Sequence, residues 1–247
     1  MGETYPALLA DLVVRYGPRL FQGFLVTLEL VGISVLLGAL LALPVAMARR
    51  AANPVLRGLA FAYIFFFRGT PLLAQVYLVY YGSGQFREAF EAWGIWWFFR
   101  EAWYCAVLTF TLNTAAYSAE IIRGGIDSVP PGEIEAGRAI GMSRRQLYLR
   151  VILPSAYRIA LPAYGNEIIL MVKASAIASI ITIFDLMGET RLAFSRSFRL
   201  EIYFVAAAFY LALTLAFERA WAALEARLNP QRRPAVEAEP AALPVKA

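Results

Sequence analysis

The chain has 247 residues, 60% of them hydrophobic and 17% charged, where an ordinary soluble domain carries ~25% charged residues. Its net charge is +5, with a single cysteine and no histidine. One cysteine excludes an intrachain disulfide, and the lack of histidine excludes Ser-His-Asp hydrolysis, HExxH zinc sites and imidazole proton relays.

Residues 1–19 hold Glu3, Asp11, Arg15, Pro6 and Pro18, not the basic-then-apolar layout of a cleaved signal peptide. We read them as an extracytoplasmic segment ahead of an uncleaved first span. A spanning helix needs roughly 20 mostly apolar residues. Five stretches meet that need, at about 20–48, 55–81, 97–122, 159–184 and 202–224. The first is interrupted by Glu29 and Pro44, and the second contains Arg68-Gly69-Thr70-Pro71. Proline removes a donor and disfavours helix in the residue before it, so the second span is expected to break there. Cys105, in the third, is expected to pack as a small apolar residue. Gly23, Gly32 and Gly38 are expected to allow close helix packing.

With the N-terminus outside and the C-terminus inside, the inner segments hold twice as many basic residues as the outer ones. That bias sets the orientation as N-out, C-in. The chain is therefore read as an all-α integral membrane protein: a membrane-spanning body over 20–224, an inner loop over 123–158 and an inner tail over 225–247. The tail is rich in Pro, Ala and Glu without apolar period, which predicts disorder.

The inner loop is patterned. Ser128-Val129-Pro130-Pro131 can open a helix, because proline suits the first turn. Glu133 to Ile140 reads as a short amphipathic helix ended by Gly141, which adopts positive φ at low cost. Ser143-Arg144-Arg145-Gln146 is a capping box for a second short helix. There Leu147, Tyr148, Val151 and Ile152 share one face, and Pro154 is expected to stop it. On physics alone such a loop can equally lie on the lipid headgroups with its arginines toward anionic lipid.

Glu135-Ala136-Gly137, then Gly141 six residues after the Glu, then Ile152-Leu153-Pro154 resemble the EAA loop of binding-protein-dependent ABC importer permeases. Gly137 stands where the family pattern has a second alanine. Phe67-Arg68-Gly69-Thr70-Pro71, Leu112 to Tyr117 and Leu161 to Glu167 are similar to the polar amino-acid branch of that family. The resemblance covers about 20–224. It implies a type I (MetI-like) importer fold with five transmembrane helices in the bacterial inner membrane. It also implies a dimer of permease subunits, with a sister chain or a second copy, two ABC ATPases and an extracytoplasmic binding protein. The substrates it implies are basic or polar amino acids (histidine, arginine, lysine, ornithine) or opines. In the family the loop docks in a groove of the ATPase. That assigns Glu135, Ala136, Gly137, Gly141, Leu147, Ile152 and Pro154 to coupling, with Glu135 as a charged contact and the apolar face of the second helix filling the groove.

A P-loop needs Gly-x-x-x-x-Gly-Lys-Ser/Thr. The only lysines, Lys173 and Lys246, each follow valine, so ATP and Mg are expected on the partner ATPase and no cofactor on this chain. No nucleic-acid partner is expected, since the basic residues follow topology.

An ionisable group at bilayer depth is costly unless paired or facing water. Glu167 lies nine residues after Arg158, about 14 Å along a helix and near the middle of a ~30 Å hydrocarbon core. It suits the cationic head or α-ammonium of an amino acid; the structural alternatives are a protonated carboxyl or a pairing with a neighbouring helix. Arg68 suits a substrate carboxylate, a subunit bridge or a headgroup. Glu29 suits the pathway or a hydrogen bond within the bundle. Glu120, three residues before Arg123, suits a salt bridge. A channel or ion-coupled carrier working without an ATPase is the alternative class, and it leaves the patterned loop unexplained.

Overall fold

The computed structural model describes residues 5–229. Among them there is no strand; the tail expected to be disordered from residue 225 is helical as far as Leu228, and its reading from 230 on lies outside the described residues. Helix α1 covers Tyr5–Arg49, α2 Pro54–Gly69, α3 Leu72–Ser83, α4 Arg87–Ala92, α5 Trp96–Phe99 and α6 Ala102–Asp127. Helices α7 (Pro131–Ala139) and α8 (Arg144–Leu147) follow, then α9 (Leu153–Ala174), α10 (Leu186–Ser197) and α11 (Ile202–Leu228). The first helix begins upstream of the expected span and runs without a break through Pro18 and Pro44. Among the described residues, four helical stretches are long and apolar enough to cross a membrane, and a fifth is the bent pair from Pro54 to Ala92.

Helix α6 is the central post, packed against α1, α2, α3 and α9. Its buried face is small and polar, with Thr109, Thr111, Asn113, Thr114, Ala115, Ser118 and Ala119. Small residues let backbones approach where lipid gives no hydrophobic drive. A Cβ on Gly125 would sit 2.6 Å from the Ala156 carbonyl oxygen of α9, and one on Gly38 would sit 2.8 Å from Thr114. A Cβ on Gly23 would sit 2.7 Å from the Asp185 carbonyl oxygen. Gly32 differs from expectation: nothing lies within 4 Å of its Cβ position, so it packs no helix. Cys105 is buried, as its apolar setting predicts.

Helix α11 lies on α9 through Trp221, whose Nε1 donates to the Leu161 carbonyl at 3.2 Å. The indole fills the space over Gly165, where a Cβ would meet Nε1 at 2.2 Å. Pro162 lacks the N–H that would bond the Arg158 carbonyl four residues back. Asn229 Nδ2 at the end of α11 donates to that carbonyl at 2.8 Å, so the proline's loss is made good by the neighbouring helix.

Pro154 does not stop the second loop helix. Residues 148–152 form a π-helical turn and α9 starts at Leu153, with Pro154 in its first turn. The wider turn shifts the hydrogen-bond register by one residue just ahead of the proline, and the helix carries on past it. The loop thus runs continuously into the fourth span.

Candidate functional site

The second span breaks at the expected residues, where α2 and α3 meet at 104°. The freed backbone groups have named partners. The Phe67 carbonyl accepts from Gln75 Nε2 at 2.8 Å and from Asn113 Nδ2 at 3.2 Å. Gln75 also donates to the Thr70 carbonyl and hydroxyl, and Asn113 Nδ2 donates to Gln75 Oε1 at 3.0 Å. Both amides are buried. Irregular backbone at membrane depth persists only where protein or a cavity satisfies it, and this amide pair does so from α3 and α6. Sequence reasoning noted Asn113 only as part of a motif and missed Gln75. An amide inside an apolar span was the available signal.

Glu167, on α9, is 7% exposed. Among the described residues it has no ion-pair partner within 4.0 Å and no hydrogen bond of its own, so the structural pairing considered from sequence does not form. Arg68 is near enough to act on it electrostatically but lies beyond ion-pair distance. Arg68 is exposed at the end of α2, with its guanidinium over the Tyr117 ring, 5.1 Å from the centroid. The break therefore delivers a guanidinium to the neighbourhood of a buried, unpaired carboxylate.

Glu29 is not brought to this place. It is exposed and lines an outer cavity of about 570 Å³ with Tyr80, Arg100, Glu101, Trp103 and Phe184. Lys173 is exposed on α9, in a cavity shared with Tyr203, Tyr210 and Thr214. Glu120 is bound as its spacing suggests. Arg123 donates to Oε2 through Nε at 2.9 Å and through Nη2 at 2.8 Å. Arg123 Nη1 also reaches Asp127 at 2.7 Å, and Arg50 pairs with the same carboxylate from α1.

In the loop, α7 ends at Gly141 with φ of +79°, and the Ser143–Gln146 capping box opens α8 with both reciprocal bonds formed. Glu135, Ala136, Arg138, Ala139 and Gly141 are exposed on α7 and its end, and Ile140 is 74% exposed. Leu147 and Ile152 are buried, which corrects the expectation that this face fills a partner's groove. They pack on Ala42, Ala46, Ile64, Ile122 and Ile126 at the inner ends of α1, α2 and α6. The permease's own bundle takes the apolar face, since burying it removes more apolar area from water than exposing it to await a partner. Gly137 is buried against Leu147 and links the two halves. Pro154 is exposed at the start of α9.

Comparison with known proteins agrees with this geometry. The chain is 44% identical over 224 residues to the nopaline transport system permease protein NocM of Agrobacterium fabrum, covering 90% of this chain and 93% of that one. It is 42% identical over 196 residues to the histidine/lysine/arginine/ornithine transport system permease protein HisM of Salmonella typhimurium, covering 78% and 83%. A solved amino acid ABC transporter with histidines superposes with a TM-score of 0.78 at 34% identity, over 92% of this chain and all of that one. A family model described as "binding-protein-dependent transport system inner membrane component" matches residues 34–230. The bundle of apolar helices with an inner loop is thus a type I importer permease of the inner membrane, a transport subunit and not an enzyme, and the chain belongs to the binding-protein-dependent transport system inner membrane component family.

Proposed function

We propose that the chain is the permease subunit of an ATP-driven importer of basic or polar amino acids, with Glu167 holding the cationic group and Arg68 the carboxylate. The observation that carries this is Glu167: a carboxylate 7% exposed within the α9 span, with no ion-pair partner among the described residues. An unpaired charge there costs several kcal/mol, which a cationic ligand offsets. Opines are an equal reading of the substrate, because the nopaline permease is as similar to this chain as the histidine-system permease.

A binding protein delivers the substrate to the outer face. An ATPase pair, carrying ATP and Mg, closes and moves α7. A second permease subunit completes the pathway, and the two subunits alternate their opening between the two faces. Glu135 makes the charged contact to the ATPase. Support comes from its exposure on α7 and from the EAA-like pattern around it. Glu29 is the outermost of the substrate-contacting residues, in the cavity where the delivered molecule first arrives.

The test is uptake into proteoliposomes holding the complete complex, with L-arginine, L-histidine, octopine and nopaline offered singly. Glu167→Gln is expected to lower uptake of the true substrate at least tenfold, about 1.4 kcal/mol, while the complex still assembles and hydrolyses ATP. Unchanged uptake by the variant refutes the Glu167 assignment. Uptake of none of the four by the unaltered complex refutes the substrate class.

A further inference from the structure

On the inner side of the break, a cavity of about 280 Å³ lies between α1, α2 and α6, lined by Arg49, Phe61, Phe65, Arg68 and Glu120. Its ends lie at different depths. Arg68 is 14 residues from the inner end of α2, about 21 Å at 1.5 Å per residue. Glu120 is seven residues from the inner end of α6, about 10 Å. The cavity therefore leads from the depth of the α2–α3 break toward the cytoplasmic face.

Its charges are incompletely used. Glu120 commits Oε2 to Arg123, while Oε1 is buried with no hydrogen-bond partner. Arg49 Nε is likewise buried and unbonded. The two groups stand 3.9 Å apart, an ion pair too open for a hydrogen bond. Arg49 lies over the Phe61 ring at 4.8 Å, and Arg68 has no carboxylate within 4.0 Å among the described residues. In the whole cluster Arg49, Arg50, Arg68 and Arg123 outnumber Glu120 and Asp127. Guanidinium capacity is left for a carboxylate, and Glu120 Oε1, closed off beside Arg49, opens to an ammonium when Arg49 turns away. A buried polar group without a partner is costly, so a ligand that bonds both is favoured. Arg49 retains 27% side-chain exposure and can turn to meet one.

We propose that this cavity is a second, inner station for the zwitterionic head of an α-amino acid. Arg49 and Arg68 take the carboxylate, and Glu120 Oε1 takes the ammonium group. Arg68 belongs to both stations. It holds the carboxylate while Glu167 holds the cationic group, then passes it inward as the pathway opens to the cytoplasm. The proposal rests on the reading that the chain carries amino acids, and it adds a site at residues outside that reading, Arg49 and Glu120. The inner station recognises the head shared by all α-amino acids, so L-arginine serves as the probe whichever side chain the deeper station selects.

The experiment is equilibrium dialysis of radiolabelled L-arginine, and of agmatine, its analogue without the carboxylate, against the nucleotide-free detergent-solubilised complex. In Glu167→Gln, a binding component is expected to remain that favours L-arginine over agmatine about tenfold or more. Adding Arg49→Met or Glu120→Gln is expected to abolish it. Arg49→Lys keeps the charge but loses the planar fork for a carboxylate, so it should weaken this component even if Arg49→Met fails to assemble. A single component that Glu167→Gln removes entirely overturns the inner station and leaves the deeper one standing. A residual component indifferent to Arg49→Met, Arg49→Lys and Glu120→Gln also overturns it. If the unaltered complex shows no Glu167-dependent binding of any probe, the underlying reading fails as well.

Discussion

The two halves of the inner loop have similar lengths and opposite fates. Helix α7 buries only Gly137 and turns Glu135, Arg138 and Ile140 to the outside. Helix α8 and its π turn bury Leu147 and Ile152 in the inner ends of α1, α2 and α6, and continue into α9 without a break. One half is a projecting contact and the other an anchor. In the proposed coupling, a push delivered to α7 would pass through the Gly137–Leu147 contact to the bundle, and along the π turn to the helix that carries Glu167. The lesson is that a coupling element needs a part that belongs to the permease as firmly as its other part belongs to the partner.

The sharpest way to break this contrast is Leu147→Asp. A charge placed in that cluster has no partner and costs several kcal/mol. The folded permease is expected to disappear, seen as loss of the monodisperse peak in gel filtration. Leu149→Asp, at a position 54% exposed two residues away, is expected to keep the peak. If Leu147→Asp folds normally and loses only the ATPase, the anchor reading fails and groove filling by this face returns. The opposite pattern is expected for Glu135→Arg. A surface substitution shifts stability by roughly 0.5 kcal/mol or less, so Tm should hold. ATPase association, followed by co-purification or titration, should weaken tenfold or more, about 1.4 kcal/mol. An unaltered ATPase affinity removes Glu135 from the interface.

The contrast also shows what the sequence makes legible. The spans follow from composition and length, and the break follows from the chemistry of Pro71. The capping box of Ser143 and Gln146 forms as its spacing dictates, because both bonds are local. Legibility stops where the outcome depends on what lies across the fold. The apolar face of Leu147 and Ile152 is evident from periodicity, but periodicity does not tell whether a partner or the chain itself covers it. Pro154 reads as a stop by local rules, and a π turn that no pattern announces overrides it. Glu167 was marked by its depth. Its lack of a partner among the described residues depends on how the helices pack around α9, which no local pattern states. The Gln75–Asn113 bond joins residues 38 apart and has no local signature.

The smallest expected effect falls on the hinge between the two halves. A Cβ on Gly137 would lie 2.6 Å from Leu147 Cδ1, a clash with the far end of a flexible side chain rather than with backbone. Turning Leu147 relieves it at a cost comparable to an off-rotamer side chain, about 0.5–1.5 kcal/mol. Alanine in a helix gains roughly 0.5–1 kcal/mol over glycine. The two nearly cancel, so Gly137→Ala should leave Tm within a few degrees and keep ATPase-dependent uptake. Gly137→Val adds bulk that Leu147 cannot clear by turning, and overpacking costs about 1–3 kcal/mol. That variant should lower both stability and coupling, because it separates the anchor from the projecting helix. If Gly137→Ala already uncouples ATP hydrolysis from uptake while Tm holds, the two halves require the close backbone contact itself, and the push travels through that contact rather than through the Leu147 side chain.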